Sequence, residues 1–272
     1  MGRNPTLILT FESMEDLKLT TVQTPLDWQD IEANLQRFDA LLKKIDTPTD
    51  MVLLPEMFST GFSMEAEKLA QKESGSAVNW MKEKAAELNA VVTGSLIIRD
   101  GGNYYNRLFW MQPDGSYLTY NKRHLFSLAN EQKHYTAGNK RLIVEYKGWR
   151  ICPLICFDLR FPVWSRNNHA YDLVFYVANW PARRSFAWKN LLIARAVENQ
   201  SYVVGLNRVG ADGNGVEHSG DTAVLDALGQ KISSTEPHQT RVETVTLSAK
   251  NLTEIRKKFQ FLNDQDKFVV KV

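Results

Sequence analysis

The chain has 272 residues, of which 43% are hydrophobic, 24% charged and 11% aromatic, with a formal net charge of +2. This is a globular composition, long enough to bury a substantial core, and its near-neutral balance gives no basic field for nucleic acid or an anionic membrane. The two cysteines, Cys152 and Cys156, exclude a disulfide framework and a multi-cysteine metal cluster, and reduced thiols in the cytoplasm are expected.

Met1 to Ser13 carries a very short apolar run and reads as an N-terminal extension outside the core, with one domain spanning residues 14–272. No stretch approaches ~18 uninterrupted apolar residues, so no membrane span is expected. Leu17 to Gln23 reads as a strand. Asp27 is placed to cap a helix with Trp28, Ile31, Leu35, Phe38, Leu42 and Ile45 at helical spacing. After the turn Pro48-Thr49-Asp50, the run Met51-Val52-Leu53-Leu54 has the length of a strand buried on both faces, and it ends at Pro55-Glu56. A helix from Ser76 to Asn89 then leads to the strand Val91 to Arg99. Turns at Gly101-Gly102 and Pro113-Asp114-Gly115 separate the strands Tyr104 to Gln112 and Tyr117 to Asn121.

Leu142 to Tyr146 and Trp149 to Ile155 form a hairpin across Lys147-Gly148. A helix from Val163 to Asn168 precedes the strand Leu173 to Ala178, and a longer helix, Phe186 to Gln200, precedes the strand Tyr202 to Asn207. A hairpin region from Thr222 to Ser233 turning at Gly229, a strand from Arg241 to Leu247 and a helix from Asn251 to Phe259 complete the pattern. Helices alternate with strands and no Pro-, Gly- or Ser-rich linker intervenes, which is a mixed α/β class.

Three strand ends carry reactive side chains. Ile151-Cys152-Pro153-Leu154-Ile155 is an apolar run that stops at Cys156, with polar residues and Pro162 beyond. A buried strand delivering Cys156 to a sharp turn would hold the thiol rigidly and leave the Phe157 N–H free to stabilise an oxyanion. A plain core cysteine is the alternative, since free Cys is among the most buried residue types. Glu56, at the end of a deeply buried strand, needs a partner or a route to solvent. Lys122, in Asn121-Lys122-Arg123-His124-Leu125-Phe126, is either an exposed turn lysine or a functional cation. Taken together they are more than three isolated residues. A buried carboxylate can serve as base to a thiol, and an ammonium can stabilise both the thiolate and the oxyanion, so Glu, Lys and Cys suffice for acyl transfer without histidine.

Leu54-Pro55-Glu56-Met57-Phe58, Asn121-Lys122-Arg123-His124-Leu125-Phe126 and Ile155-Cys156-Phe157-Asp158-Leu159-Arg160-Phe161-Pro162 resemble, in order and spacing, the signature blocks of the nitrilase superfamily of carbon–nitrogen hydrolases. The resemblance covers roughly Leu17 to Leu247. It implies a four-layer α-β-β-α sandwich, a Glu56–Lys122–Cys156 triad, and a homodimer whose helices pack so that the sheets of two subunits stack. Lys122 to Phe126, Glu131 with His134-Tyr135 and Ala137-Gly138, Asn179-Trp180-Pro181 and Ala194 to Gln200 are most similar to the omega-amidase branch, in particular its bacterial YafV-like group. That similarity implies hydrolysis of the omega-amides of small keto dicarboxylic acids, 2-oxoglutaramate and 2-oxosuccinamate, through a thioester. It also implies a functional link to a glutamine- or asparagine-using aminotransferase. Another small amide, an N-carbamoyl compound or a nitrile is the alternative substrate. A non-catalytic binding or scaffold protein that keeps the fold is a third reading, which would call for a degraded triad where Glu56, Lys122 and Cys156 are intact. Phe157 departs from the Tyr that follows the nucleophile in many relatives, but the oxyanion needs only its backbone N–H.

By the same resemblance Glu131 is a second glutamate that orients substrate or the lysine. Asn179 and Trp180 end the next strand and should face the same pocket, and Phe62 is a candidate wall of it. Arg184, or its neighbour Arg183, is a candidate partner for a substrate carboxylate. His124 is placed either to orient the lysine loop or to make a purely structural hydrogen bond. The five histidines are dispersed and no phosphate-loop or dinucleotide fingerprint is present, so neither a metal nor a cofactor is expected.

Overall fold

The computed structural model describes residues 14–271; the extension expected over residues 1–13 lies outside the described residues. In chain order the first half runs β1 (Leu17–Gln23), α1 (Ile31–Leu42), β2 (Met51–Leu53), α2 (Ala66–Leu69), α3 (Ser76–Leu88), β3 (Val91–Asp100), β4 (Asn103–Met111) and β5 (Tyr117–Asn121). The second half runs β6 (Val144–Tyr146), β7 (Trp149–Ile155), α4 (Pro162–Ser165), β8 (Leu173–Ala178), α5 (Ser185–Asn199), β9 (Tyr202–Asn207), β10 (Val209–Ala211), β11 (Glu217–Ser219), β12 (Ala223–Leu225), β13 (Arg241–Leu247) and α6 (Ala249–Phe259). One sheet has the order β13-β1-β2-β3-β4-β5 and the other β12-β9-β8-β7-β6, while β10 and β11 form a small separate hairpin. The central strands β1-β2-β3 and β7-β8-β9 pair in parallel.

The period-2 alternation of the strands produces the layers. Leu17 and Leu19 of β1, Met51 and Leu53 of β2, and Leu108 and Trp110 of β4 share a core with β7, β8 and β9. Val22, Val52, Phe109 and Met111, from the same strands, point the other way and pack against Phe38 of α1 and Val78 and Met81 of α3. The two sheets therefore lie face to face, with the Trp110 ring stacked on Phe175 of β8 at 6.5 Å between centroids. α5 covers the far side of the second sheet through Trp188, Leu192 and Ala196. This is the α-β-β-α sandwich expected from the resemblance, and the long strands fall where the alternation placed them.

The short elements differ from the sequence reading. Asp30, not Asp27, caps α1 by accepting from the Ala33 N–H at 3.0 Å; Asp27 pairs with Arg37 instead. Trp28 and Ile45 consequently lie outside the helix. The helix expected over 163–168 is the single turn α4, opened by Pro162, because Asn167 turns its side chain to the backbone of Tyr171 and Asn199 rather than continuing the helix. The hairpin expected over 222–233 is β12 on the edge of the second sheet, its return leg reduced to a single bridge at Lys231. The β10–β11 hairpin had no expectation at all; its strands are three residues each and glycines surround them.

Gly138 locks the end of β5. Its N–H donates to the Lys122 carbonyl at 2.9 Å, and a Cβ at this position would stand 2.1 Å from the Asn121 carbonyl oxygen. Gly138→Ala must push the Asn121–Lys122 backbone aside, and should lower unfolding stability by about 1–3 kcal/mol in urea denaturation. A variant as stable as the parent would show that the strand end yields freely.

Candidate active site

β2, β5, β7 and β8 deliver four residues to one edge of the sandwich, the place where ligand sites form in α/β sheets. Beyond β2, the Met57 N–H donates to Ser95 Oγ at 2.9 Å and the Phe58 N–H to the Ser95 carbonyl at 3.1 Å, which ties the Glu56 turn to β3. Met57 itself has a left-handed φ of 43°. β7 ends at Ile155, and Cys156 opens a 3₁₀ turn with a φ of 43°, another left-handed conformation that costs a side-chain-bearing residue roughly 1–3 kcal/mol. The first N–H groups of such a turn have no intrahelical acceptor, so the Phe157 N–H stands free beside the thiol.

Lys122, Glu56 and Glu131 have wholly buried side chains. Lys122 Nζ donates to Glu56 Oε1 at 2.8 Å and to Glu131 Oε1 and Oε2 at 3.0 and 2.9 Å. Asn106 Nδ2 lies between the carboxylates, donating to Glu56 Oε1 at 2.8 Å and to Glu131 Oε1 at 3.4 Å. The Asn179 N–H donates to Glu56 Oε2 at 2.9 Å, and the Phe126 N–H donates to Glu131 Oε2. The Asn179 side-chain amide donates to the Glu56 carbonyl, joining β8 to the end of β2.

Burial works against the Lys122 ammonium, but Glu131 and Glu56 outweigh it and hold the group charged well above the ordinary lysine range. Burial raises Glu131, with Lys122 opposing and Glu56 adding to the rise. Burial also pushes the Cys156 thiol far above its ordinary range; the Glu56 carboxylate adds to this, while Lys122 and the Asn179 N–H oppose it. A thiol in this setting rests protonated, with a carboxylate placed to take its proton.

Cys156, Glu56 and Lys122 open onto a cavity of about 380 Å³. Phe62, Phe157, Asn179, Trp180, Arg183 and Arg184 line it. The Phe62 ring lies over Lys122 Nζ at 5.0 Å, and Phe157 packs on Phe126 at 4.9 Å. Glu131 is not among the cavity walls; it sits behind Lys122 and holds the lysine. Three contributors had not been foreseen. Asn106 lies within β4, where alternation gives no hint of a polar role. Arg160, four residues beyond Cys156, lies over the Trp180 ring at 5.0 Å, and the β10–β11 hairpin adds Asp212, Asn214, Val216 and His218 to the wall. Spacing within the 3₁₀ turn could have pointed to Arg160, since it follows the nucleophile by just over one turn.

Arg184 lies over the Phe126 ring at 4.9 Å, and burial together with Arg183 lowers its pKa. Arg37, Arg107, Arg150, Arg195 and Arg256 all have carboxylate partners. Among the described residues Arg160, Arg183 and Arg184 have none; Arg99, Arg123, Arg141, Arg166, Arg208 and Arg241 also lack one, but only the first three line the cavity. Among the described residues there is also no group of three His, Cys, Asp or Glu side chains able to hold a metal ion, and no helix long and apolar enough to cross a membrane.

A sandwich of two sheets with a buried glutamate, lysine and cysteine at one edge defines a class of hydrolase, and the family model for carbon–nitrogen hydrolases matches residues 18–257. The chain belongs to that family. It is 50% identical to omega-amidase YafV of Escherichia coli over 94% of this chain and 99% of that one. It is 30% identical to a 2-oxoglutaramate amidase of Bacillus subtilis over 79% and 85% of the respective chains. The crystal structure of XC1258 from Xanthomonas campestris, a CN-hydrolase superfamily protein with an arsenic adduct in its active site, superposes with a TM-score of 0.93 at 45% identity, covering 95% of this chain and all of that one.

His218 gives the cavity wall a pH dependence. Burial, with Arg208 adding, lowers it from the ordinary 6.5 to about 4, and its Nδ1 faces the Gly210 carbonyl at 3.2 Å. A folded-state pKa below the unfolded one favours the neutral ring. Its contribution is fully present above the ordinary value and is lost as pH falls toward the folded one. Between pH 7 and pH 5 the parent should therefore lose roughly 2 kcal/mol of stability that a His218→Gln variant keeps. Equal losses for both in urea denaturation at the two pH values would contradict this.

Proposed function

We propose that this chain is an omega-amidase that hydrolyses the terminal amide of small keto dicarboxylic acid monoamides, 2-oxoglutaramate and 2-oxosuccinamate, to the dicarboxylic acid and ammonia. The observation that carries this reading is the set of arginines without carboxylate partners, Arg160, Arg183 and Arg184, in the same small cavity as the thiol. A substrate carboxylate would supply the missing partner, and a planar guanidinium suits it in two-pronged fashion. The relatives named omega-amidase and 2-oxoglutaramate amidase support the same reading. A nitrile would need an apolar end to the cavity, and these arginines argue against it.

In the proposed mechanism Glu56 takes the Cys156 proton as the sulfur attacks the amide carbonyl carbon. A C–S bond forms and the carbonyl electron pair moves to oxygen. The Phe157 N–H and the Lys122 ammonium receive that oxyanion; with one ammonium N–H donating to Glu56 and a second to Glu131, the third is available to it. Glu56 then gives its proton to nitrogen, the C–N bond breaks and ammonia leaves a thioester. Water, deprotonated by Glu56, attacks the thioester, and the C–S bond breaks as the acid product is released. Glu56 passes the proton it took from water to the leaving sulfur, restoring the thiol and its own carboxylate. Glu131 keeps Lys122 in position throughout, and Phe62, Asn179 and Trp180 shape the pocket around the amide.

Residues 14–272 form the catalytic domain in this reading, and the cytoplasm, where the thiol stays reduced, is its setting. An aminotransferase drawing its amino group from glutamine or asparagine would supply the substrate. The partner of the chain itself is a second copy. Phe186, Ile193 and Val197 leave an exposed apolar stripe along α5, with Phe186 83% exposed, and Leu228 and Ile232 beside β12 extend it. Gly229 closes onto Ile193 and Val197, so stripe and turn form one surface.

Ammonia release from a panel should favour 2-oxoglutaramate and 2-oxosuccinamate over glutamine, a simple nitrile and an N-carbamoyl amino acid. Preference for any of the last three would overturn the substrate reading. Cys156→Ala should fold and retain no more than a few per cent of the activity, and Arg184→Gln should raise KM about tenfold or more. For the assembly, sedimentation should give a dimer for the parent and a monomer for Ile193→Asp; a monomeric parent would remove the dimer from the proposal.

A further inference from the structure

Asp158, two residues beyond the nucleophile, is a fully buried carboxylate outside the Glu56–Lys122–Glu131 group. Its Oδ2 accepts from the Ile155 N–H at 3.1 Å and from the Tyr120 hydroxyl at 2.7 Å. Its Oδ1 accepts from the His124 N–H at 3.0 Å and faces His124 Nδ1 at 2.8 Å. A carboxylate oxygen only accepts, so the ring presents Nδ1–H to it. These four donors come from three places: the residue before Cys156, the second-last residue of β5, two before Lys122, and the residue two past Lys122. One side chain therefore ties the nucleophile turn to both flanks of the lysine.

The surrounding groups keep the tie rigid. The Tyr120 hydroxyl accepts from Trp164 Nε1 at 3.0 Å and from the Arg123 N–H at 3.2 Å. The His124 ring lies flat on Phe161, 3.7 Å between centroids and 5° between planes, and Phe161 packs in turn on Phe157 at 5.2 Å. The Asp158 carboxylate, the Tyr120 hydroxyl and Trp164 Nε1 all have partners, and buried networks of that kind fix a single arrangement. The two strained or buried groups that must meet, the left-handed Cys156 and the Lys122 ammonium, sit on separate sheets, β7 and β5. Their relative placement depends on a cross-sheet connection.

We infer that Asp158 is a positioning residue, clamping the Cys156 turn to the Lys122 loop through Ile155, Tyr120 and His124 so that thiol, ammonium and oxyanion donor stay in register. This rests on the reading of Cys156 as nucleophile but not on any particular substrate. Small displacements at such a constellation are costly to rate, about a hundredfold for 1 Å.

The test is Asp158→Asn in the full chain, where the carboxamide NH₂ must face at least one of the N–H or O–H groups that the carboxylate accepts from. Two readouts are taken: kcat and KM for ammonia release, and the rate at which iodoacetamide alkylates Cys156, followed by peptide mass. The second needs no substrate and so separates failure of this inference from failure of the omega-amidase reading. The expected result is a fall of about tenfold or more in both kcat and alkylation rate, with KM changed less than about threefold. Tyr120→Phe and His124→Phe, each removing one donor while keeping the ring, should give smaller falls in the same two quantities, and they decide the matter if Asp158→Asn does not fold. Phe38→Leu, a core change under α1 away from the site, serves as the stability control. Rates within about twofold of the parent in the folded variants, or an equal slowing of alkylation by Phe38→Leu at matched thermal stability, would overturn the inference.

Discussion

The Lys122 ammonium, buried between two carboxylates, is the constraint on which the rest of this structure depends. Three charges on wholly buried side chains are tolerable only if each finds its partners at short range, because an unpaired buried charge costs several kcal/mol. Glu56 arrives from beyond the end of β2, Lys122 from the residue that follows β5, and Glu131 from the loop after it. No one of them can be buried unless the other two are already in place. The polar donors around them complete the set, with Asn106 from β4, Asn179 from β8 and the Phe126 N–H each closing one acceptor position. The group is assembled mainly on the first sheet, and the Asn179 N–H joins it to the second.

Around that group the backbone is held where side chains alone could not hold it. Met57 and Cys156 both take left-handed φ values immediately after or at a residue of the site, and neither is glycine. Such strain survives where neighbouring contacts overdetermine the conformation. At Met57 the Ser95 side chain and backbone do this; at Cys156 the Asp158 carboxylate, reaching back to the Ile155 N–H, does the same. Gly138 works in the opposite sense: its missing Cβ lets the chain come against Asn121 and bind the Lys122 carbonyl.

How much of this was legible in the sequence follows from where information sits. Glu56, Lys122 and Cys156 stood out because each ends an apolar strand with a reactive side chain, and their flanks repeat known blocks. The layers were legible because period-2 alternation in β1, β2 and β4 assigns each residue to a face. Asn106 was not, because a polar residue inside β4 looks like any outward position until its neighbours across the sheet are known. Asp27 and Asp30 are equally good caps on paper, and only the pairing of Asp27 with Arg37 separates them. The β10–β11 hairpin carries too few residues for any period to show, yet it supplies one wall of the cavity. Arg160 was hidden inside a block read for its cysteine.

Charge accounting ties the proposed chemistry to this architecture. With the thiol protonated, Glu56, Glu131 and Lys122 leave one net negative charge in a closed box. Burial and Glu56 both oppose a second, which is why the Cys156 thiol is pushed upward. A free thiolate is therefore not the resting state, and the proton's nearest destination is the same carboxylate whose charge disfavours its loss. Moving it there shifts the negative charge from Glu56 to sulfur, and attack shifts it again to the substrate oxygen beside Lys122, without changing the total. Because Glu131 already holds the lysine in place, little reorientation is required at that moment, and preorganised charge of this kind stabilises a transition state more effectively than solvent can. In the proposed function a substrate carboxylate would add a further negative charge, and Arg160, Arg183 and Arg184 would meet it at the cavity wall, separate from the buried group whose balance the reaction needs.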